Sequence, residues 1–590
     1  MPAQKKRIIR ILSAVVIVSY VLIGLLLLIS GFVHSINPVR YLKSPDRTMT
    51  ISIPYEVGGE AAEKDLELTR GTEIRVKRQG DKESEVEYDG HVFQLDNEYL
   101  AKSLQEVVDT DQVYARRLIS LRDARDGKLS DAVAEKGEAL EVVSASVDDF
   151  DPETGVVGWY QVRKDDKTYW IPGQYTETTQ ELALKNYGEG LSYSTEYDAI
   201  YGRGYSEDAY IDQVDYRPLL RKSYEDNVMP EDVNAVHVSL NNLLRYKDEL
   251  MKLKDTTGIN SIVVEMKGDA GAVLYESEVP QNYINLDEYD PIVNKYSMEL
   301  IAPVFQEFRD NGFYMIGRIA AFKDGTFALS HPDQAITDQK GEPVVYDSEY
   351  WVSPYSRLAW EYNVDIAREI APLVNEVQFD FVRFPEGTST GTDEGAVNLH
   401  NTYNESKVAA LQGFLSYARD AMEPYHVYVA GDVFAWPVIS RDDIDIGQYV
   451  PAIANSVDVI SPMPYLEKFT GAVMGLESPS TEPEQTIARY LENMQQQIST
   501  LGTQPVIRTW LQGYDGVDAA NLREQIAGIN EAGDQGYMVW FKHAGEWSEI
   551  SPRVSGLINS ALKKDAKVDV EKAISETAKK EEAETASQGE

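Results

Sequence analysis

Cysteine is absent from this chain. Disulfide stapling, zinc–thiolate and iron–sulfur sites and cysteine nucleophiles are therefore excluded. Basic charge is scarce as well: 56 Lys and Arg stand against 97 Asp and Glu, a formal net charge of −41. Such a field repels nucleic acid, and no basic patch offsets it. Its plainest consequence is solubility. Dinucleotide-type and phosphate-type glycine loops are missing too, and no His/Asp cluster has metal-ligand spacing. No cofactor is implied, and metal-dependent deacetylation is the weaker enzymatic reading.

What is present begins with a membrane signal. Lys5, Lys6, Arg7 and Arg10 precede an apolar run from Ile11 to Val33, broken only by Ser13, Ser19, Gly24, Ser30 and Gly31. About 20 residues of helix cross the hydrocarbon core, and this run reaches that length. A cleavable signal peptide has a shorter apolar region and a small-residue cleavage site. Residues 1–34 therefore read as a cytoplasmic stub and a single-pass transmembrane helix in the cell membrane, with everything beyond about 35 extracellular. Late cleavage that releases the protein is the competing reading.

Hydrophobic residues at 43% and aromatics at 10% supply ample cores. Residues 48–105 alternate in short, turn-punctuated runs such as Glu73-Ile74-Arg75-Val76-Lys77, and residues 106–176 repeat the pattern. Within the second stretch, Trp159-Tyr160-Gln161-Val162, a polar turn and Tyr169-Trp170-Ile171 resemble the closing hairpin of bacterial SH3-like modules. The first stretch resembles a poorer copy. The resemblance implies cell-wall peptide as a partner, or a spacer that holds the next domain off the membrane. Residues 177–230 are polar and Tyr-rich and read as a linker or strap. The end, 563–590, is an Ala/Glu/Lys-rich tail without an apolar stripe.

Between 231 and 562 eight apolar runs alternate with helix-like segments. The runs are 235–239, 261–266, 313–319, 376–382, 426–433, 457–463, 505–511 and 537–541; the helical segments are 241–254, 300–311, 357–374, 405–423, 441–453, 483–501, 517–533 and 551–562. Buried parallel strands read as continuous apolar stretches, while covering helices carry the 3.6 period. Eight such units predict a (β/α)8 TIM barrel rather than an open doubly wound sheet.

In that fold the chemistry sits at the strand ends. Asp380 and Asp432 end runs 4 and 5, each in an apolar strand where an unpartnered carboxylate is costly. Glycosidic cleavage uses two carboxyl groups flanking one bond, one acting on the anomeric carbon and one protonating the leaving oxygen. Sugar rings also pack their C–H faces on aromatic rings, and Trp351, Tyr355, Trp436, Tyr465, Trp510 and Trp540 fall at strand ends or in the loop after run 3. Glu265, Lys267, Arg318, Arg383 and Gln512 add polar groups at the same level. Each has a blander reading. Asp380 could form an ion pair with Arg383 or Arg318, Asp432 could cap the next segment, and Glu265 could pair with Lys267. Any one Trp could be core, and His237 and His543 read as satisfied core histidines.

The segments Val263-Val264-Glu265-Met266-Lys267-Gly268-Asp269-Ala270-Gly271 and Gln378-Phe379-Asp380-Phe381-Val382-Arg383-Phe384-Pro385 carry a wider resemblance, aided by Trp351-Val352-Ser353-Pro354 and Ser461-Pro462-Met463-Pro464-Tyr465. Residues 232–550 resemble a glycoside hydrolase domain family of bacterial surface proteins, distantly similar to the alpha-amylase and alpha-galactosidase barrels. The resemblance implies Asp380 as nucleophile. Amylase-like members place the acid on strand 5, here Asp432, with Asp where they use Glu. Galactosidase-like members place it after strand 6, where Ser461, Met463 and Tyr465 stand. The expectation is a hydrolase of a cell-surface or environmental polysaccharide. Its rivals are a non-catalytic carbohydrate- or wall-binding protein, or a barrel serving as scaffold for peptide-binding modules.

Overall fold

The computed structural model describes residues 38–57, 60–191, 210–388, 396–514, 516–534 and 536–541. The expected anchor over 1–34, the last helix over 551–562, the tail over 563–590 and His543 lie outside the described residues. Among the described residues, no helix is long and apolar enough to cross a membrane. The chain divides into two compact units, Met1–Lys185 and Asn186–Glu590.

The first unit is built from antiparallel sheets. Five strands order as His91–Asp96, Glu83–Tyr88, Glu73–Arg78, Val39–Leu42 and Leu100–Ala101. Alternation turns Ile74, Val76, Val86, Phe93 and Leu95 inward to join Leu42, Ile53 and Leu68 in one core. The strand Val39–Leu42 lies ahead of the expected start of this module at residue 48. A seven-stranded sheet follows, its own core built on Leu121, Leu140, Val162 and Ile171. Its hairpin Trp159–Lys164/Lys167–Pro172 turns through Asp165 and Asp166 at φ 49° and 60°, the left-handed pair that a two-residue hairpin turn requires.

The second unit holds a nine-stranded sheet in which every neighbouring pair is parallel. Its strands are β1 (Asn234–Ser239), β2 (Ser261–Lys267), β3 (Tyr314–Ala320), β4 (Glu376–Asp380), β5 (Tyr428–Phe434), β6 (Val459–Met463), β7 (Val506–Ile507), β8 (Thr509–Gln512) and β9 (Tyr537–Trp540). The order is β7-β6-β5-β4-β3-β2-β1-β9-β8. The two ends of this series, β7 and β8, are consecutive pieces of one run separated only by Arg508. The sheet therefore curls into a nearly closed barrel of eight staves, the seventh broken at Arg508. Burial that is continuous along β3 and β4, and along β2 except at Glu265, is what strands covered on both faces show.

Covering helices follow the strands at Met298–Asp310, Arg357–Ile370, Lys407–Met422, Pro483–Ile498 and Ala519–Glu531. The helix expected over 441–453 is a correction. Only Ala435–Ser440 and Val450–Ala454 are helical in that region, because Arg441, Ile444, Asp445 and Gly447 all adopt positive φ. Asp443 accepts from the amides of Asp445 and Gly447 at 3.2 Å each, offering the backbone an alternative to the helix. Residues 210–230 act as a strap. Gln412 brackets the Asp215 peptide with two 2.8 Å hydrogen bonds, and Asn227 reaches the carbonyls of Asn375 and His426.

Candidate active site

The strand ends surround a cavity of about 430 Å³. Its charged centre is one guanidinium. Arg318 on β3 stands in direct register with Glu265 on β2 and reaches it from Nη1 at 3.1 Å. The other edge of the same group, Nε and Nη2, donates to Asp380 Oδ2 at 3.2 and 2.5 Å. Asp380 Oδ1 accepts from the Phe381 amide at 2.6 Å, and Phe381 takes φ 50°, a strained turn for an aromatic residue. That turn ends β4 two residues earlier than the apolar run suggests and leaves the carboxylate at the rim. Of the two ion-pair readings of Asp380, its contact is with Arg318; Glu265 pairs with Arg318 rather than with Lys267.

Glu265 lines the cavity with a side chain 20% exposed. Burial raises its pKa above the usual carboxyl range; Arg318 opposes this, and the charges of Asp269 and Asp380 add to it. Asp432 is different. It caps nothing and is 1% exposed, beneath the cavity wall rather than in it. Its Oδ1 accepts the Trp510 indole N–H at 3.0 Å, and its buried Oδ2 has no hydrogen-bond partner among the described residues. Burial, reinforced by the charge of Asp380, pushes its pKa well up. Asp432, expected as the leaving-group acid, thus lies outside the cavity lining, whereas Glu265 lies in it.

Trp510, Trp540, Tyr465 and Arg383 line the cavity. Trp510 and Trp540 meet edge to face with ring centres 5.8 Å apart, and Arg318 lies 5.2 Å from the Trp540 ring. Five other expectations are corrected. Lys267 is fully buried: a bulge between Glu265 and Lys267 turns its side chain away, where it pairs with Asp324 at 2.8 Å and donates to Ala320 O and Asn363 Oδ1. Trp351 is also fully buried, its indole N–H given to the Tyr346 carbonyl and its edge set against Phe381. Tyr355 packs on Phe384 and lines a separate cavity with Thr337 and His400. Trp436 sits half-buried on the Ala435–Ser440 helix against Phe469, outside the cavity lining. Gln512 is buried and acts indirectly, its side chain accepting from the Glu467 amide at 3.1 Å and donating to the Tyr514 carbonyl at 3.2 Å.

Two residues enter the site that sequence reasoning passed over. Glu467, in the turn Leu466–Lys468 after β6, lines the cavity and accepts from the Tyr514 hydroxyl at 2.9 Å. The expectation that only Ser461, Met463 and Tyr465 stand after strand 6 is thereby corrected; the signal was two residues further on. His237, read as a satisfied core histidine, faces the cavity 4.1 Å from the Trp540 ring, with a buried Nε2 that has no partner among the described residues. Burial and the nearby Arg318 charge hold its pKa well below the ordinary value, so the imidazole is neutral. Among the described residues, no group of three or more His, Asp or Glu is arranged to hold a metal ion.

Solved structures that this chain is similar to include the glycoside hydrolase domain of PgaB (BpsB) from Bordetella bronchiseptica, 15% identical over 56% of this chain and 98% of that one, with a TM-score of 0.40. Alpha-L-fucosidase isoenzyme 2 from Paenibacillus thiaminolyticus is 14% identical over 58% of this chain and 50% of that one, with a TM-score of 0.37. A hypothetical protein from Ruminiclostridium thermocellum ATCC 27405 is 27% identical over 34% of this chain and 97% of its own, with a TM-score of 0.28. No curated protein matches the chain. Residues 235–544, more than half of the sequence and the whole of the barrel described above, match one family, and the chain belongs to it: the family described as "Putative glycosyl hydrolase domain".

Proposed function

We propose that this chain hydrolyses a glycosidic bond of a polysaccharide, with Asp380 as nucleophile or base and Glu265 as general acid. The observation that carries the reading is the shared guanidinium: Arg318 holds both carboxyl groups on opposite edges, inside one cavity walled by aromatic rings. Glycosidases set their two carboxyl groups about 5–5.5 Å apart for retention and about 6.5–9.5 Å apart for inversion. The raised pKa of Glu265 suits a proton donor.

In the retaining form, an Asp380 oxygen bonds to the anomeric carbon while the glycosidic C–O bond breaks. The departing oxygen keeps the electron pair and takes the Glu265 proton. Water then attacks the anomeric carbon, gives its proton to the Glu265 carboxylate and frees Asp380. Trp510, Trp540 and Tyr465 pack the sugar faces. In the inverting form, Asp380 removes a proton from the attacking water instead.

Substituting D380N and E265Q separately tests this against a non-catalytic sugar-binding role. Loss of turnover with binding retained supports hydrolysis; unchanged turnover in both defeats it. Glu467 faces the same cavity, so E467Q is measured alongside. An activated aryl glycoside, whose leaving group needs no proton, should restore the first step in the variant that lacks the acid and in no other.

We extend the proposal to location. The apolar run from Ile11 to Val33 supports an extracellular enzyme tethered to the cell membrane, and the turn at Asp165 and Asp166 supports an SH3-like module that spaces it or binds wall peptide. Protease added to intact cells should remove the barrel; full protection would reject this topology.

A further inference from the structure

Every carboxyl group lining the cavity is matched by a cation: Glu265 and Asp380 by Arg318, Asp269 and Asp347 by Lys323, and Glu467 by Lys468. Arg383 has no such match. It lines the same cavity at 8% exposure, and among the described residues no carboxylate lies within ion-pair distance of it. Its one hydrogen bond among them runs from Nη1 to the Phe384 carbonyl at 3.2 Å. Its guanidinium is caged by rings instead, 4.9 Å from the centre of Trp351, 5.5 Å from Phe434 and 5.7 Å from Phe381.

A guanidinium carries five donors in a rigid fork suited to carboxylate and phosphate. Aromatic faces offset part of the cost of burying it, but they satisfy none of its N–H groups. The cage fixes the fork and leaves the other donors for a ligand. In a chain of net charge −41, a fixed cation without an anionic partner beside the reacting carboxyls marks a place for negative charge on the substrate.

We infer that Arg383 forms a subsite for an anionic substituent, a carboxylate, phosphate or sulfate, so that the glycan cleaved is an acidic polysaccharide. This rests on the hydrolase reading only for the word cleaved; the subsite itself is a claim about binding.

The test is calorimetric titration of the full chain carrying D380N, which blocks turnover. The probes are oligosaccharides of galacturonate, of chondroitin sulfate and of a polyol phosphate, with cello-, malto- and chito-oligosaccharides as neutral counterparts. One acidic class should bind roughly tenfold to a hundredfold tighter than any neutral one, the worth of a charge-assisted hydrogen bond, and lose affinity as salt rises. R383Q should remove that advantage, bringing acidic binding down to the neutral level; R383K, which keeps the charge but not the fork and is the milder change for the fold, should lose part of it. The three acidic arms identify the anion. Equal binding of acidic and neutral glycans, no acidic binding, or acidic affinity indifferent to both substitutions overturns the inference. Acidic binding without turnover by the unsubstituted chain defeats the hydrolase reading and leaves the subsite standing.

Discussion

The indole N–H of Trp510 on β8 donates to Asp432 Oδ1 on β5 at 3.0 Å, beneath the cavity wall. The acceptor is a buried acid whose second oxygen has no partner among the described residues and whose pKa burial drives well up. Asp432 therefore serves as a buried support that fixes the ring a sugar would stack on. Asn presents the same acceptor in the same shape. D432N should keep turnover close to that of the native chain, whereas D432A should raise KM more than it lowers kcat, by up to about tenfold for one lost neutral hydrogen bond. Steady-state kinetics with tryptophan fluorescence reads both. A collapse of kcat in D432N comparable with that of E265Q would return Asp432 to a direct role.

The same group makes stability depend on pH. A carboxyl whose folded pKa lies above its unfolded value near 3.9 binds its proton more tightly when folded. Its contribution is complete below the unfolded pKa and declines as pH rises towards the folded value. D432N carries no such titration. At pH 7 it should melt above the native chain, and the difference should shrink as pH falls towards about 4. Thermal melts of both chains across that window check the sign; a constant gap would mean that Asp432 titrates alike in the two states.

Glu265 predicts the shape of the activity profile. Its proton is the one donated, so the alkaline limb of kcat/KM follows its raised pKa. Asp269 is one of the charges that hold that pKa up. D269N should move the alkaline limb to lower pH, while Lys323 keeps Asp347 at 3.0 Å as a partner. E265Q should lower kcat about 100- to 10,000-fold on natural glycans and erase the limb. An alkaline limb in the same place in D269N would show that another group sets it.

The stave pattern was legible because apolar runs and helical periods are local signals: the strand and most helix positions fall within a few residues of those runs. What escaped has non-local causes. The run at 505–511 reads as one strand, yet Arg508 splits it to reach a partner on β4. Lys267 shares strand parity with Glu265, but the bulge between them reverses its direction. The depth of Asp432 depends on Trp510, distant in sequence, and the 441–453 helix was lost to left-handed residues that amphipathic periodicity does not register. Glu467 was missed because strand ends were read too narrowly. Arg383, named from its place beside Asp380, gained its meaning only from the rings that surround it.

The break in the seventh stave carries a stability prediction of its own. Arg508 Nη1 meets both oxygens of Glu376 at 2.7 and 2.8 Å, both side chains are buried, and the Tyr314 hydroxyl donates to Glu376 Oε2 at 3.1 Å. Glu376 begins β4 and Asp380 ends it, so this cluster lies at the end of the barrel opposite the cavity. Removing one partner strands a buried charge, and R508A or E376A should each cost about 3–5 kcal/mol. Replacing both with apolar residues of similar volume, E376L with R508M, should be far milder, because two desolvation penalties vanish together. Denaturant titration of the barrel transition in the three variants measures the difference. If the double variant were as unstable as the sum of the singles, the pair would be holding the break at Arg508 closed by specific geometry, and not merely neutralising two buried charges.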